Sequence, residues 1–368
     1  MKKRVVHLTS VHARNDVRIF VKQCKSLQQA GYDVSIVVAD GLGDEVKEGI
    51  KFYDVGKLQG RFKRFTKTTQ NVFKKAKELN ADVYHLHDPE LMPIGIKLKK
   101  LHKKVIFDAH EDLPKQLLSK PYLNKFLLKI ISKLVAKYEK YATKKIDYII
   151  AASPFIRDKF LKINKNTIDV NNFPIIQELN TTTLWKDKKD EVCYIGGIST
   201  IRGIKEAVEA FNVKSIVRLN LAGNYVEDNL KECLEQKKGW SSVNEHGFVN
   251  RNEVQNILSR SKAGLVTLYP TINYQDALPV KMFEYMLAGI PVISSNIPLW
   301  KKIVENHNCG ILVNPLKPKE IREAIMYIIE NPEEAERMGR NGKQAVLEKY
   351  NWNIEKEKLI SVYKEITK

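Results

Sequence analysis

Cysteine is scarce and scattered. Cys24, Cys193, Cys233 and Cys309 lie far apart in 368 residues, with no C-x-x-C pair. This spacing argues against a disulfide framework and a structural zinc site, and suits a reducing compartment. Long apolar runs are missing too. No stretch reaches the ~18–20 residues of a spanning helix, and mean hydropathy is −0.34. The start, MKKRVVHLTS, is basic but lacks the apolar core and small-residue cleavage site of a signal peptide, so a cytoplasmic protein is expected. Histidine is limited to eight residues, and no H-E-x-x-H occurs.

Acid is in short supply where base is plentiful. The net charge is +19, and residues 1–180 hold 35 Lys/Arg against 19 Asp/Glu, whereas the remaining 188 hold 27 against 24. One half is strongly basic, and an anionic partner for it is one reading. A lysine-rich codon bias is the plain alternative. Nucleic acid fits poorly, because no binding motif for it is present.

The length exceeds what one core serves, so two domains are expected. Short apolar runs at 4–10, 33–39, 82–88, 104–110 and 147–153 alternate with helical patterns, and a second series runs through 191–197, 218–223, 263–269 and 291–295. Near-continuous apolar strands alternating with helices predict parallel sheets covered on both faces. The expected fold class is α/β, with two doubly wound Rossmann-like domains facing each other across a cleft. The segment 171–190, with a proline and a polar charged stretch, separates the two series. Ligands in such sheets bind beyond the carboxyl ends of the strands, where most of the polar clusters fall.

Two stretches carry the strongest chemistry. In YIGGISTIRGIKEAVEAF (194–211), a strand runs into Gly196-Gly197 and then a helix predicted from Gly203 through Phe211. Glycines let a phosphate approach the backbone, a helix start offers N–H donors, and Arg202 can fork onto phosphate. A tight strand–helix connection is the structural alternative. In DALPVKMFEYMLAGIPVISS (276–295), Asp276 and Glu284 stand eight apart with Lys281 between them. A carboxylate near a helix start accepts paired sugar hydroxyls; the structural alternative is an acidic cap at Asp276 and a solvated Glu284, but Glu284 sits among apolar neighbours, which favours an engaged acid.

Together these motifs resemble the retaining glycosyltransferases of family 4, which have the GT-B fold, and the resemblance covers nearly the whole chain. It implies donor contacts from Gly196, Gly197, Arg202, Phe248, Val280, Lys281 and Glu284, with Asp276 at the donor sugar. Gly197 stands where the family usually has an arginine, so Lys281 is expected to compensate. HLTSVHARNDVRIFVKQCKSLQQAGYDV (7–34), HDPELMP and DAHEDLP resemble members that build bacterial O-antigen and capsule polysaccharides. From this likeness His110 is expected at the donor sugar, Asp16 as a candidate base, and His12, Arg14, Arg18, His87, Asp88, Glu90, Glu111 and Asp112 around the acceptor. The domains implied are 1–178 with a returning helix at 352–368, and 185–350. The substrates implied are a nucleotide-diphosphate sugar and a lipid-linked or oligosaccharide acceptor, with no cofactor and no metal. Two alternatives share parts of the pattern: a nucleotide-sugar epimerase, and a metal-dependent hydrolase built on His85-x-His87.

Residues 121–145 form an amphipathic pattern. Leu123, Phe126, Leu127, Ile130, Ile131, Leu134 and Tyr138 make an apolar stripe, and lysines at 125, 129, 133 and 137 a basic one. The stripe either packs on the protein's own sheet or lies on the anionic inner face of the cytoplasmic membrane, helped by the cation- and phenylalanine-rich stretch 57–75.

Overall fold

The computed structural model describes residues 2–118, 124–179, 183–211 and 216–368; the side chains of Arg61 and Lys125 also lie outside the description. The chain divides into two units. Unit 1 comprises Met1–Asn172 with Ile354–Lys368, and unit 2 comprises Phe173–Asn353.

Among its described residues, unit 1 holds eight strands: β1 (Arg4–Leu8), β2 (Asp33–Val38), β3 (Glu45–Lys47), β4 (Ile50–Asp54), β5 (Val83–Leu86), β6 (Lys104–Ala109), β7 (Tyr148–Ala151) and β8 (Thr167–Asp169). Their order is β3-β4-β2-β1-β5-β6-β7-β8, parallel except for β3 against β4. Central strands such as Val83–Leu86 are buried throughout, which is why they read as unbroken apolar runs rather than alternating ones. The chain leaves β1 first for β2 and later crosses to β5 on the other side. The carboxyl ends of β1 and β5 therefore form a switch point, where such sheets bind ligands.

Among its described residues, unit 2 holds six parallel strands: β9 (Glu191–Ile195), β10 (Arg218–Ala222), β11 (Val243–Gly247), β12 (Ala263–Val266), β13 (Val292–Ser295) and β14 (Gly310–Val313). The order β11-β10-β9-β12-β13-β14 places its switch point at β9 and β12. Cores cover both sheet faces. One contains Phe283, Tyr285 and Trp300, the other Ile204, Leu221, Ile321 and Ile328.

The units divide between Asn172 and Phe173, inside the expected segment 171–190 but ahead of the bound at 178. Phe173 is buried against Phe283 and Tyr350, with ring centroids 4.7 and 5.3 Å away, so 173–178 go with unit 2. The C-terminal residues 354–368 pack in unit 1. Glu355 accepts the amide of Asn171 at 2.7 Å, and Tyr363 meets Nδ1 of His85 at 2.8 Å.

The helix Lys125–Thr143 overturns one expectation. Its packed side carries Leu128, Ser132, Glu139 and Ala142, with the Ser132 hydroxyl donating to Pro114 O and Glu139 paired to Lys159. The apolar stripe points outward: Phe126 is 73% exposed and Leu134 63%. Leu123 of that stripe lies outside the described residues.

Candidate active site

In unit 2 the site is built at the carboxyl end of β9. Gly196 has φ +124° and Gly203 φ +71°. A Cβ on Gly203 would lie 1.8 Å from Thr267 O, so only glycine brings the loop this close to β12. The following helix spans Ile204–Glu209 and is shorter than predicted, leaving Phe211 beyond its end. Gly196 N and Ile198 N donate to Ala222 O and Asn224 O. These two amides are spent on the end of β10 and the loop beyond it, so side chains beside the turn matter to any anion bound there.

Two cations flank that turn. Arg202 donates Nη1 to Gly197 O at 2.9 Å. Lys281, in the first turn of the helix Val280–Leu287, lays its Nζ 3.6 Å from the centre of the Tyr194 ring. A Cβ placed on Gly196 would sit 3.4 Å from that nitrogen. The Lys281 ammonium is buried and has no hydrogen-bond partner. Burial first, then the charge of Arg202, pushes its pKa well below the usual lysine range. An unpaired cation held beside a second cation is costly, and an anion at the glycine turn relieves that cost.

Glu284 is engaged, as its apolar neighbours implied: Arg251 donates Nη1 to it at 2.8 Å, and Arg251 also pairs with Glu178 at 3.0 Å. Nothing in the sequence pointed to Arg251, which reaches Glu284 from another helix. Asp276 is half-buried in the turn before the Val280 helix. Phe248, just past β11, is 78% exposed.

In unit 1 a polar cluster gathers at the carboxyl ends of β1, β5 and β6. Asp88 Oδ2 accepts from Thr9 Oγ1 at 2.8 Å and Ser10 N at 2.6 Å. His12 bridges two acids, with Nε2 3.3 Å from Asp88 and Nδ1 3.4 Å from Asp16. Burial opposes charging of His12, but Asp16, Asp88 and Asp108 outweigh it, and its pKa rises above the ordinary value. Asp16 also caps the helical segment Val17–Cys24 by accepting from Ile19 N. Burial would raise its pKa, but the His12 and Ile19 hydrogen bonds bring it down to about 2. Asp16 is thus a firmly ionised cap and a weak base. Glu90 accepts from Ser10 Oγ at 3.1 Å and pairs with Arg64 at 2.8 Å. Glu111 is exposed.

Four residues expected around the acceptor are engaged with partners inside unit 1. Arg14 is buried and forks onto Asp40 at 2.8 and 2.6 Å, with Glu45 at 3.0 Å, tying the β2–β3 loop. Arg18 is buried and forks onto Asp108 at 3.0 and 2.6 Å. His87 is buried as well: its Nε2 shares a 2.8 Å hydrogen bond with His7 Nδ1, and its Nδ1 lies 3.3 Å from Asp108. Asp112 pairs with Lys159 at 2.9 Å. In each case a charged or polar group that reads as cleft-facing finds a tertiary partner that spacing cannot reveal.

Asp108 is the hub that the sequence did not single out. It receives Arg18, Gln23 Nε2 at 2.8 Å and His110 Nε2 at 3.1 Å. Arg18 and the histidines overcome burial and hold it well below the usual carboxylate range. His110 is thereby oriented with Nε2 inward, a fifth of its side chain remaining in solvent. Two trios among the described residues have ligand atoms close enough for a metal: His7, His85 and His87, and His87, Asp108 and His110. Both are already knitted by the hydrogen bonds and ion pairs above, with the His7 and His87 rings stacked at 13°.

Residues 17–170 match the family described as Glycosyltransferase Family 4, and residues 176–345 match the one described as Glycosyl transferases group 1. The chain is 23% identical over 290 residues to the D-rhamnosyltransferase WbpZ of Pseudomonas aeruginosa, covering 74% of this chain and 71% of that protein. Sucrose-phosphate synthase from Thermosynechococcus elongatus superposes with a TM-score of 0.79 at 17% identity, covering 100% of this chain and 99% of that one. Anabaena HepE, in complex with UDP and glucose, gives 0.74 at 12% identity, covering 99% of this chain and 100% of that one. The family matches, one in each unit, place the chain among the glycosyltransferases; its fold is GT-B. The comparisons lend no support to the epimerase or hydrolase alternatives.

Proposed function

We propose that the chain moves a sugar from a nucleotide-diphosphate sugar to a lipid-linked glycan acceptor in bacterial O-antigen or capsule assembly, with retention of anomeric configuration. The observation that carries the donor half is the unpartnered Lys281 ammonium beside Arg202 at the Gly196-Gly197 turn. The leaving diphosphate gains negative charge as the glycosidic bond breaks, and two preorganised cations stabilise it without a metal. The Val280–Lys281 amides, at a helix start and without intrahelical acceptors, add to this. Glu284, held by Arg251, takes the ribose hydroxyls, Asp276 the donor sugar, and Phe248 lies at the base. That HepE is found with UDP and glucose favours a donor of this class.

On the acceptor side His110 contacts the sugar through the ring face turned from Asp108. His12, Asp88 and Glu90 line the approach, with Asp16 keeping His12 oriented and charged, and Glu111 at the outer edge. The outward stripe of Lys125–Thr143, bordered by Lys129, Lys133 and Lys137, suits peripheral attachment to an anionic membrane carrying that acceptor. Phe62 and Phe65, 81% and 54% exposed among cations, add a second contact. No described helix is long and apolar enough to cross a membrane.

A thermal-shift screen of nucleoside diphosphates and their sugars tests this reading. A ligand at a hundredfold excess over its Kd stabilises by ~2.7 kcal/mol. Arg202→Ala and Glu284→Ala should each weaken that response. The proposal is lost if no nucleotide stabilises the chain, or if both variants respond like the parent.

A further inference from the structure

We propose that unit 1 contains a phosphoryl-binding subsite for the acceptor, in a cavity beside the acceptor-side residues assigned above; this rests on the transferase reading and deepens it. The cavity, about 300 Å³, opens beyond the ends of β1 and β2 and is lined by Ser10, Lys57, Leu58, Gly60, Arg64 and Thr68 among others. This is the lower end of ligand-pocket volumes, roughly 300–1,000 Å³, and suits a phosphoryl group with the start of its ester rather than a whole nucleotide.

The lining is built from a continuous helical run, Arg61–Lys63, Arg64–Thr68 and Thr69–Leu79. Gly60, Arg64 and Thr68 are four apart and so follow one side of its first turns. Thr66 and Thr69 return their hydroxyls to the carbonyls of Phe62 and Phe65, both at 2.8 Å. Thr68 does not: it is 2% exposed, and its Oγ1 has no hydrogen-bond partner. A buried hydroxyl left without a hydrogen bond is costly, so this group is set up for an acceptor that enters the cavity.

Charge points to the kind of acceptor. Lys57 is exposed at the rim. Arg64 directs Nε at Glu90, 2.8 Å away, while about a third of its side chain stays in solvent. Lys57 and Arg64 line the cavity itself, whereas the nearby carboxylates of Asp88 and Glu90 stand behind Ser10 and outside the lining, and the helix start adds a partial positive charge. A tetrahedral oxyanion takes this combination of hydroxyl, helix start, ammonium and guanidinium. Leu58, 38% exposed, gives the ester carbons an apolar lip. Glu90 and Ser10 join the cavity to the acceptor-facing cluster, so a phosphoryl bound here belongs to the acceptor. Its source is either a lipid diphosphate or a free sugar phosphate.

The test uses the full chain with its donor site first filled by whichever nucleoside diphosphate stabilises it. Inorganic pyrophosphate is then titrated, and hydrogen exchange is followed along the chain. Protection is expected over residues 57–68. Lys57→Ala and Thr68→Val should each weaken pyrophosphate by up to about tenfold, the loss of one charge-assisted contact, while leaving the nucleotide response unchanged. Protection confined to 196–204, or unaltered affinity in both variants, overturns the subsite. A nucleotide response that is absent while 57–68 is still protected overturns the transferase reading and the acceptor role together, leaving only an anion site. Two competitors distinguish the sources: a polyprenyl diphosphate in phosphatidylcholine vesicles, and a soluble sugar 1-phosphate. Displacement of pyrophosphate by either supports the acceptor role and names its source; displacement by neither overturns it.

Discussion

Lys281 illustrates how much of the proposed donor site rests on single residues. Its ammonium rests on the Tyr194 ring with no counter-ion, and Arg202 is close enough to depress its pKa further. Such a group destabilises the free protein and is repaid only when an anion binds. Lys281→Met should therefore raise the melting temperature of the unliganded chain while abolishing its stabilisation by nucleoside diphosphates. Calorimetric scans with and without nucleotide read both effects, and a variant that melts lower yet still responds would contradict the assignment. Glu284 and Lys281 were legible in the sequence because their spacing along one helix is local. Arg251 and Asp108 were not, because each acts through partners brought from other elements.

At the scale of elements, strands β1 and β5 align His7 with His85 in register, and His87 follows on the same face. All three rings are buried and their pKa values lowered, by burial first and then, for His7 and His85, by a neighbouring ring; for His87, burial brings it to about 3 despite Asp108. The unfolded chain takes up protons near the ordinary pH 6.5 that the native state refuses. Stability from these rings is fully present above that pH and falls on acidification towards the native values. Each ring contributes a slope of up to ~1.4 kcal/mol per pH unit. His12, with its raised pKa, has the opposite sign: its contribution is present at low pH and fades as pH rises through the native value. Three rings outweigh one, so hydrogen exchange in β1 and β5 should accelerate between pH 7 and 5 once intrinsic rates are removed. His85→Gln should flatten that dependence, and equal protection at both pH values would refute it.

The helix Lys125–Thr143 belongs to the same scale. Its periodicity was plain in the sequence, but which face packs was not, because Ser132 and Glu139 bury through tertiary hydrogen bonds and ion pairs. Vesicles with a third anionic lipid should sediment with the parent chain and much less with Phe126→Ser/Leu134→Ser, while neutral vesicles bind neither. Equal binding of both proteins would remove the membrane face from the proposal.

For the whole molecule, the proposed role of Lys281 and Arg202 at the leaving diphosphate predicts that transfer survives chelation. Activity against a matched donor and acceptor should be unchanged in excess EDTA; a loss restored by a divalent cation would show that the cation supply is incomplete. The short strands Glu45–Lys47, Ile50–Asp54, Thr167–Asp169, Val243–Gly247 and Gly310–Val313 were not anticipated. Several lie at or next to a sheet edge, where partial exposure breaks the apolar run that marks a central strand.

By itself the sequence determined the alternation of strand and helix, and so two parallel sheets. It also determined the glycine turn at 196–203 and the acid–lysine–acid spacing from 276 to 284. These are local: backbone freedom at glycine, burial of whole strands and helical repeat act over a few residues. Only the tertiary structure decided that Arg14, Arg18 and His87 are buried and that Asp108 gathers three helpers. It also left Thr68 without a partner beside two cations. Burial and pairing of polar groups depend on side chains far apart in the chain, and spacing along it carries no record of which will meet.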